Sequence, residues 1–171
     1  TEAEKQDDEN LQKEYNKKYS NEAFNTLLMM ADKNNQSEKD ATKKKKNQSM
    51  IDLLVACSFD KDGNEIPFDQ RMDKMKDMVP EDQFDALKKD MESQYNEIKD
   101  SDDYKNKLTQ AIKESKDSDY ESFVKKSKES AKNTWDIVEK EKKEQEEKDK
   151  KIEELKKQLD NASGEKKKDI Q

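Results

Sequence analysis

Carboxylates and lysines crowd this sequence, yet the residues that usually turn such charge into catalysis are missing. Histidine is absent from the 171 residues. That removes the commonest general base, the usual Ser or Cys triads and most zinc and iron sites. Cys57 stands alone, so neither a CxxC pair nor an intrachain disulfide can form. Two glycines cannot build a GxxxxGK(S/T) or GxGxxG phosphate loop. Three candidates remain, and each has a plainer reading. Asp60-Lys61-Asp62-Gly63-Asn64 offers calcium ligands, but an EF-hand loop needs glycine at its sixth position and glutamate at its twelfth. Counted from Asp60, the glycine is fourth and Arg71 is twelfth, which leaves a turn. Asp69, Asp73 and Asp77 share one helix face beside Lys74 and Lys76, the pattern of a solvated surface. Cys57 follows an apolar run with no base next to it and reads as a small buried hydrophobe. We expect no enzymatic activity, no cofactor and no metal; function should come from binding another macromolecule.

Composition narrows the partner. Net charge is −7, and Arg71 is the single arginine among 36 basic residues. Nucleic-acid binding depends on phosphate neutralisation and favours Arg, so no nucleic acid is expected. The one basic run, Lys43 to Lys46, reads as a solvated helix face. Leu54-Val55-Ala56-Cys57 mimics a lipoprotein cleavage box, but Asp52 interrupts its short apolar segment and it reads as part of a helix. No stretch approaches the roughly 18 apolar residues of a transmembrane helix. The sequons at Asn35, Asn47 and Asn161 arise easily by chance in a chain so rich in Asn and Ser.

Charged residues make up 46% and apolar ones 28%, a balance that usually leaves a chain unfolded. Here the apolar residues recur at helical spacing, so narrow stripes on several helices can share a thin core. With so few glycines and prolines, long helices are favoured. Leu11, Tyr15, Tyr19, Ala23, Leu27 and Ala31 advance in fours, with Phe24 and Leu28 beside them, and predict a core-facing helix over Glu9 to Asp32. Asn34 to Ser37 reads as a break before a second helix within Glu38 to Ser58. The apolar part of that helix, Met50 to Cys57, should lie at the centre of the core. Pro67 suits the first turn of a short helix with Phe68, Met72, Met75 and Val79 inward, and Pro80 starts another with Phe84, Leu87, Met91, Tyr95 and Ile98 inward. Ser101 should cap a helix faced by Tyr104, Leu108, Ala111 and Ile112. Ser118, with Glu121, should cap the last one. The methionines Met72 and Met75 read as core rather than as an adaptable groove, and Trp135 as a core anchor rather than an exposed hot spot.

That last helix is unusual. Tyr120, Phe123, Val124, Ala131, Trp135 and Val138 form an apolar face, Glu139 to Lys151 contains no apolar residue, and Ile152, Leu155 and Leu159 resume the spacing. Closely spaced Glu and Lys can hold the charged part helical. Continuous to Asp160, it would be about 65 Å long, and its end should project, pack on a second copy or meet a partner. The expected fold is an all-α antiparallel bundle of about five to six helices with a long, partly projecting C-terminal helix. Residues 1–138 would form the bundle, 139–160 a coiled-coil-like extension and 161–171 a tail. The expected binding surfaces are the far end of the last helix (Ile152, Leu155, Lys156, Leu159) and the turn carrying Phe59, Ile66 and Phe68. The alternative for Ile152, Leu155 and Leu159 is packing against the chain's own N-terminal helix.

The Lys- and Glu-rich stretch Glu139 to Leu159, the Lys/Asp/Ser helix starts at Lys99 and Lys116, and the lack of His and near-lack of Arg resemble the helical surface lipoproteins of Borrelia-type spirochaetes. The resemblance implies a bacterial cell-surface protein, lipid-tethered upstream of Thr1, that binds a host protein such as a complement regulator or matrix protein. A phage or intracellular coiled-coil assembly protein acting as a homodimer or larger homo-oligomer is the alternative, with a cytoplasmic location. A carrier of an apolar ligand between helices is a third reading and would need a sizeable cavity.

Overall fold

The computed structural model describes residues 1–169, with side chains through residue 161. Five α-helices follow one another: α1 (Glu2–Ala56), α2 (Phe68–Asp73), α3 (Phe84–Ile98), α4 (Asp102–Asp117) and α5 (Tyr120–Asp169). Short 3-10 turns lie at Lys76–Met78 and Glu81–Gln83. Among the described residues there is no strand beyond one isolated bridge, Phe59 with Glu65. No helix of the described residues is long and apolar enough to cross a membrane. The chain forms an all-α bundle. Of the expected tail, α5 includes the backbone to Asp169, and residues 170 and 171 lie outside the described residues.

The expected break at Asn34 to Ser37 does not occur, and the two expected N-terminal helices are one. Asn and Ser each cost a helix only about half a kcal/mol relative to Ala. No proline or glycine precedes Gly63. Local bonds offset the cost: Gln36 donates its side-chain amide to Asp40, one turn on.

Two compact units are present, Ala41–Glu141 and Thr1–Asp40 with Lys142–Gln171. The first contains the main core. Leu53, Leu54, Cys57, Met72, Met75 and Met91 are almost wholly buried in one apolar cluster. Val55, Phe59, Tyr104, Leu108 and Ala111 form a second. Each fully buried side chain of this kind contributes roughly 1.5–3 kcal/mol. Met50 to Cys57 is the segment that both clusters draw on, as its apolar run predicts. Trp135 is partly buried against the first cluster.

The turn after α1 is built by Asp60. Its carboxylate accepts the backbone N–H groups of Asp62 and Asn64, both at 2.9 Å. Gly63 takes φ +82° there, a conformation that side chains disfavour. Pro67 immediately precedes α2, and Pro80 precedes a 3-10 turn that runs directly into α3. Ser101 caps α4 as expected, its hydroxyl accepting the Tyr104 N–H at 3.1 Å. The cap of α5 is Asp119, not Ser118. The Asp119 carboxylate accepts the Ser122 N–H, while the Ser118 hydroxyl turns back to the Glu114 carbonyl. A carboxylate next to the positive helix end is the stronger acceptor.

The second unit pairs the N-terminal part of α1 with the C-terminal part of α5, running antiparallel. Asp32 meets Lys156 at 3.1 Å, Glu38 meets Lys148 at 2.9 Å and Lys39 meets Asp149 at 2.5 Å. Among the described residues, Leu28, Asn35, Gln145 and Ile152 are the buried ones of this unit. Half of them are polar, so much of this seam is held by hydrogen bonds and ion pairs rather than by apolar packing.

Candidate binding surface

The surfaces expected from sequence are largely occupied by the fold itself. Phe59 is fully buried, its ring 6.1 Å from that of Phe123 and 6.0 Å from that of Tyr120. It is a core residue and not a contact residue, because its ring packs in the second apolar cluster with Val55, Tyr104, Leu108 and Ala111. Ile66 is partly buried. Phe68 is also partly buried, packed on the main cluster with its ring 5.6 Å from that of Tyr95. Ile152 is buried, Leu155 and Leu159 are partly buried, and Lys156 is paired with Asp32. Ile152 lies three residues from Asp149 and four from Lys156, both bonded to α1, so it shares their helix face. These placements correspond to packing of the α5 end against the N-terminal helix.

Arg71 shows how completely charge is used for structure. It is 3% exposed. Its Nε donates to the Ile66 carbonyl at 2.9 Å and its terminal nitrogen to the Tyr104 hydroxyl at 3.0 Å. Its guanidinium lies 4.8 Å from the centre of the Tyr95 ring, and Glu65 balances its charge at 3.7 Å. Burial raises the Tyr104 pKa, with the Arg71 charge opposing. The arginine fastens the turn, α2, α3 and α4 together, a geometry that suits its planar fork of donors.

The other reactive groups are equally committed. Burial pushes the Cys57 thiol up to about 11, with Lys74 and Lys128 opposing, which leaves it protonated and unreactive at neutral pH. A hydrogen bond from Lys128 holds the Asp77 carboxyl below its usual range. Among the described residues, no three His, Cys, Asp or Glu side chains are grouped to hold a metal. One groove of the Ala41–Glu141 unit has a volume near 900 Å³ and is open. Met50, Leu87 and Trp135 share its lining with Lys46, Asp77 and Glu139. Its mixed walls lack the enclosed apolar lining that a carrier of an apolar ligand needs.

What stands exposed instead is the stripe that the sequence placed in the core. Leu11, Tyr15, Tyr19 and Leu27 are 63–66% exposed, and Met29 and Met30 are open as well. The expectation that this stripe faces a core is wrong, for a physical reason. On a helical projection, Tyr19, Ala23, Leu27 and Met30 lie on average about 120° from Phe24 and Leu28, and of these six only Leu28 is buried and Phe24 partly buried. Every residue from Thr1 to Ser20 is exposed. The Tyr15 and Tyr19 rings stack on the helix surface, 6.4 Å apart.

Sequence reasoning missed the polar seam too. Leu28 and Asn35, and likewise Gln145, Ile152 and Leu159, fall at seven-residue spacing. A heptad count that admitted polar residues would have found them. Compared with known proteins, the chain matches no family model, no curated protein and no solved structure.

Proposed function

We propose that this chain is a non-enzymatic protein-binding protein whose contact surface is the exposed stripe of α1, from Leu11 to Met30. One observation carries the reading. Six large apolar side chains stand open along about five turns of one helix, in a chain so short of apolar residues that its own seam is partly polar. Contiguous exposed apolar surface marks a contact site, and an amphipathic helix face is a common way for one protein to engage another. The resemblance to spirochaetal surface lipoproteins supports a bacterial surface setting with a host protein as partner. Affinity capture from serum tests this reading. The purified chain should retain a defined protein, and the variant Leu11→Ser/Tyr19→Ser/Leu27→Ser should lose it with an unchanged melting transition. Capture that survives in the variant would refute the stripe as the contact surface.

A further inference from the structure

The open groove beside Trp135, with its volume near 900 Å³, lies in the size range of ligand sites. α3 and the turn before it supply one wall through Gln83, Ala86, Leu87 and Asp90, which share a helix face. α5 supplies another through Lys132, Trp135, Asp136 and Glu139 at the same spacing. Met50, Met78 and Val79 complete the apolar part of the lining. We infer that a basic amphipathic segment of a partner protein docks in this groove, with an apolar side chain against Trp135, Val79 and Leu87 and a lysine or arginine among the carboxylates. The site goes beyond the stripe and does not depend on it, since all its residues belong to the Ala41–Glu141 unit.

Charge identifies the occupant. Four carboxylates line the groove, Asp77, Asp90, Asp136 and Glu139, against two lysines, Lys46 and Lys132. Asp77 is taken by Lys128 at 2.6 Å. The other three are exposed and have no ion-pair partner among the described residues. Asp90 stands on the α3 wall, Asp136 and Glu139 on the α5 wall, so both sides carry negative charge. An acidic partner meets like charge here, which is costly. A wholly apolar partner would desolvate the carboxylates and give them nothing in return. A segment with an apolar side chain next to a cation satisfies the lining and the rim together.

Trp135 joins the two parts of the site. Its ring is partly exposed in the wall, and a tryptophan face attracts an overlying cation better than other aromatic rings do. Its indole N–H is buried and has no acceptor among the described residues. Packing alone therefore holds this ring, whereas the Tyr104 and Tyr120 hydroxyls are hydrogen-bonded. A ring held in this way can settle against an occupant without breaking a bond.

Trp135 is the single tryptophan, so its fluorescence reports on this groove directly. A short amphipathic peptide of leucine and lysine, titrated into the whole chain, should shift the emission to shorter wavelength and saturate. The same peptide with glutamate in place of lysine should leave it unchanged. Asp90→Asn/Asp136→Asn/Glu139→Gln should weaken the leucine–lysine peptide by about fivefold or more at low salt, where screening is least. Ala86→Arg, which puts a bulky cation of the chain's own in the groove, should abolish the shift. All four positions are exposed, so circular dichroism should be unchanged. The stripe variant Leu11→Ser/Tyr19→Ser/Leu27→Ser should bind the peptide as the wild type does. No shift, an equal shift with the glutamate peptide, or binding indifferent to the carboxylate variant overturns the inference. A shift lost in the stripe variant places the peptide elsewhere and overturns it too. A shift that grows with protein concentration alone, and vanishes in the carboxylate variant, gives the groove to a second copy and overturns the foreign partner.

Discussion

Asn35 on α1 donates its side-chain amide to the Asp149 carboxylate on α5, although 114 residues separate them. Lys39 approaches the other oxygen of the same carboxylate. Asn35 is 2% exposed, and its own amide oxygen has no partner. A buried polar residue in a helix pair costs stability and favours one register, so the Asn35–Asp149 bond sets how these two segments are aligned. Asp149→Ala should therefore leave the Asn35 amide with neither water nor acceptor, at a cost of about 1–3 kcal/mol. Amide exchange across residues 28–40 should speed up accordingly. The double variant Asn35→Leu/Asp149→Ala should recover most of the protection, because no buried amide is then left unpaired. Unchanged exchange in the single variant would contradict the polar seam.

Arg71 should not tolerate lysine. Lysine keeps the charge but cannot reach the Ile66 carbonyl and the Tyr104 hydroxyl together while lying over the Tyr95 ring. Arg71→Lys should cost about 1–3 kcal/mol in urea unfolding, as a buried acceptor loses its donor. A loss below half a kcal/mol would show that the guanidinium is not the fastening described.

Cys57 gives a reading of the folded core. With its pKa near 11 and its side chain fully buried, it should resist alkylation at neutral pH and react at once in denaturant. Fast labelling of the native chain would mean that the cluster around Leu53, Leu54 and Met91 opens readily.

Acid should loosen the Ala41–Glu141 unit. Hydrogen bonds from Lys45 and Thr42 hold Glu141 below its usual 4.5, and one from Lys128 holds Asp77 below its usual 3.8. Groups whose pKa is depressed by folding stabilise the native state above their unfolded values and lose that contribution as pH falls through the folded ones. The urea midpoint should thus be flat in these groups near neutrality and fall below about pH 4.5. Lys128→Met and Lys45→Met should shallow that fall. A midpoint that rises on acidification would contradict the assignment.

The parts of the fold legible from sequence were those where apolar residues meet apolar residues. Met50 to Cys57, the inner faces of α3 and α4, and the turn at Asp60 all follow from period, cap and turn chemistry. The Asn35 seam was not legible, because its partners are polar and pattern reading treats polar residues as surface. Phe59 was misplaced for a related reason. It lies in a turn, and the packing of that turn on Tyr104, Leu108, Tyr120 and Phe123 buries it. The row from Leu11 to Leu27 shows a further limit. Periodicity identifies a face, but not whether the same chain supplies anything to cover it.

The outward orientation of that row underlies the account, and the methionines report on it directly. Hydroxyl-radical labelling of the dilute native chain, read by mass spectrometry, should oxidise Met29 and Met30, at 66% and 57% exposure, and spare Met50, Met72, Met75 and Met91, at 2% or less. Tyr15 and Tyr19 should label with the first pair. Protection of Met29, Met30 and both tyrosines under conditions where the chain is monomeric would mean that the stripe is covered by its own chain. The binding surface would then have to be sought elsewhere.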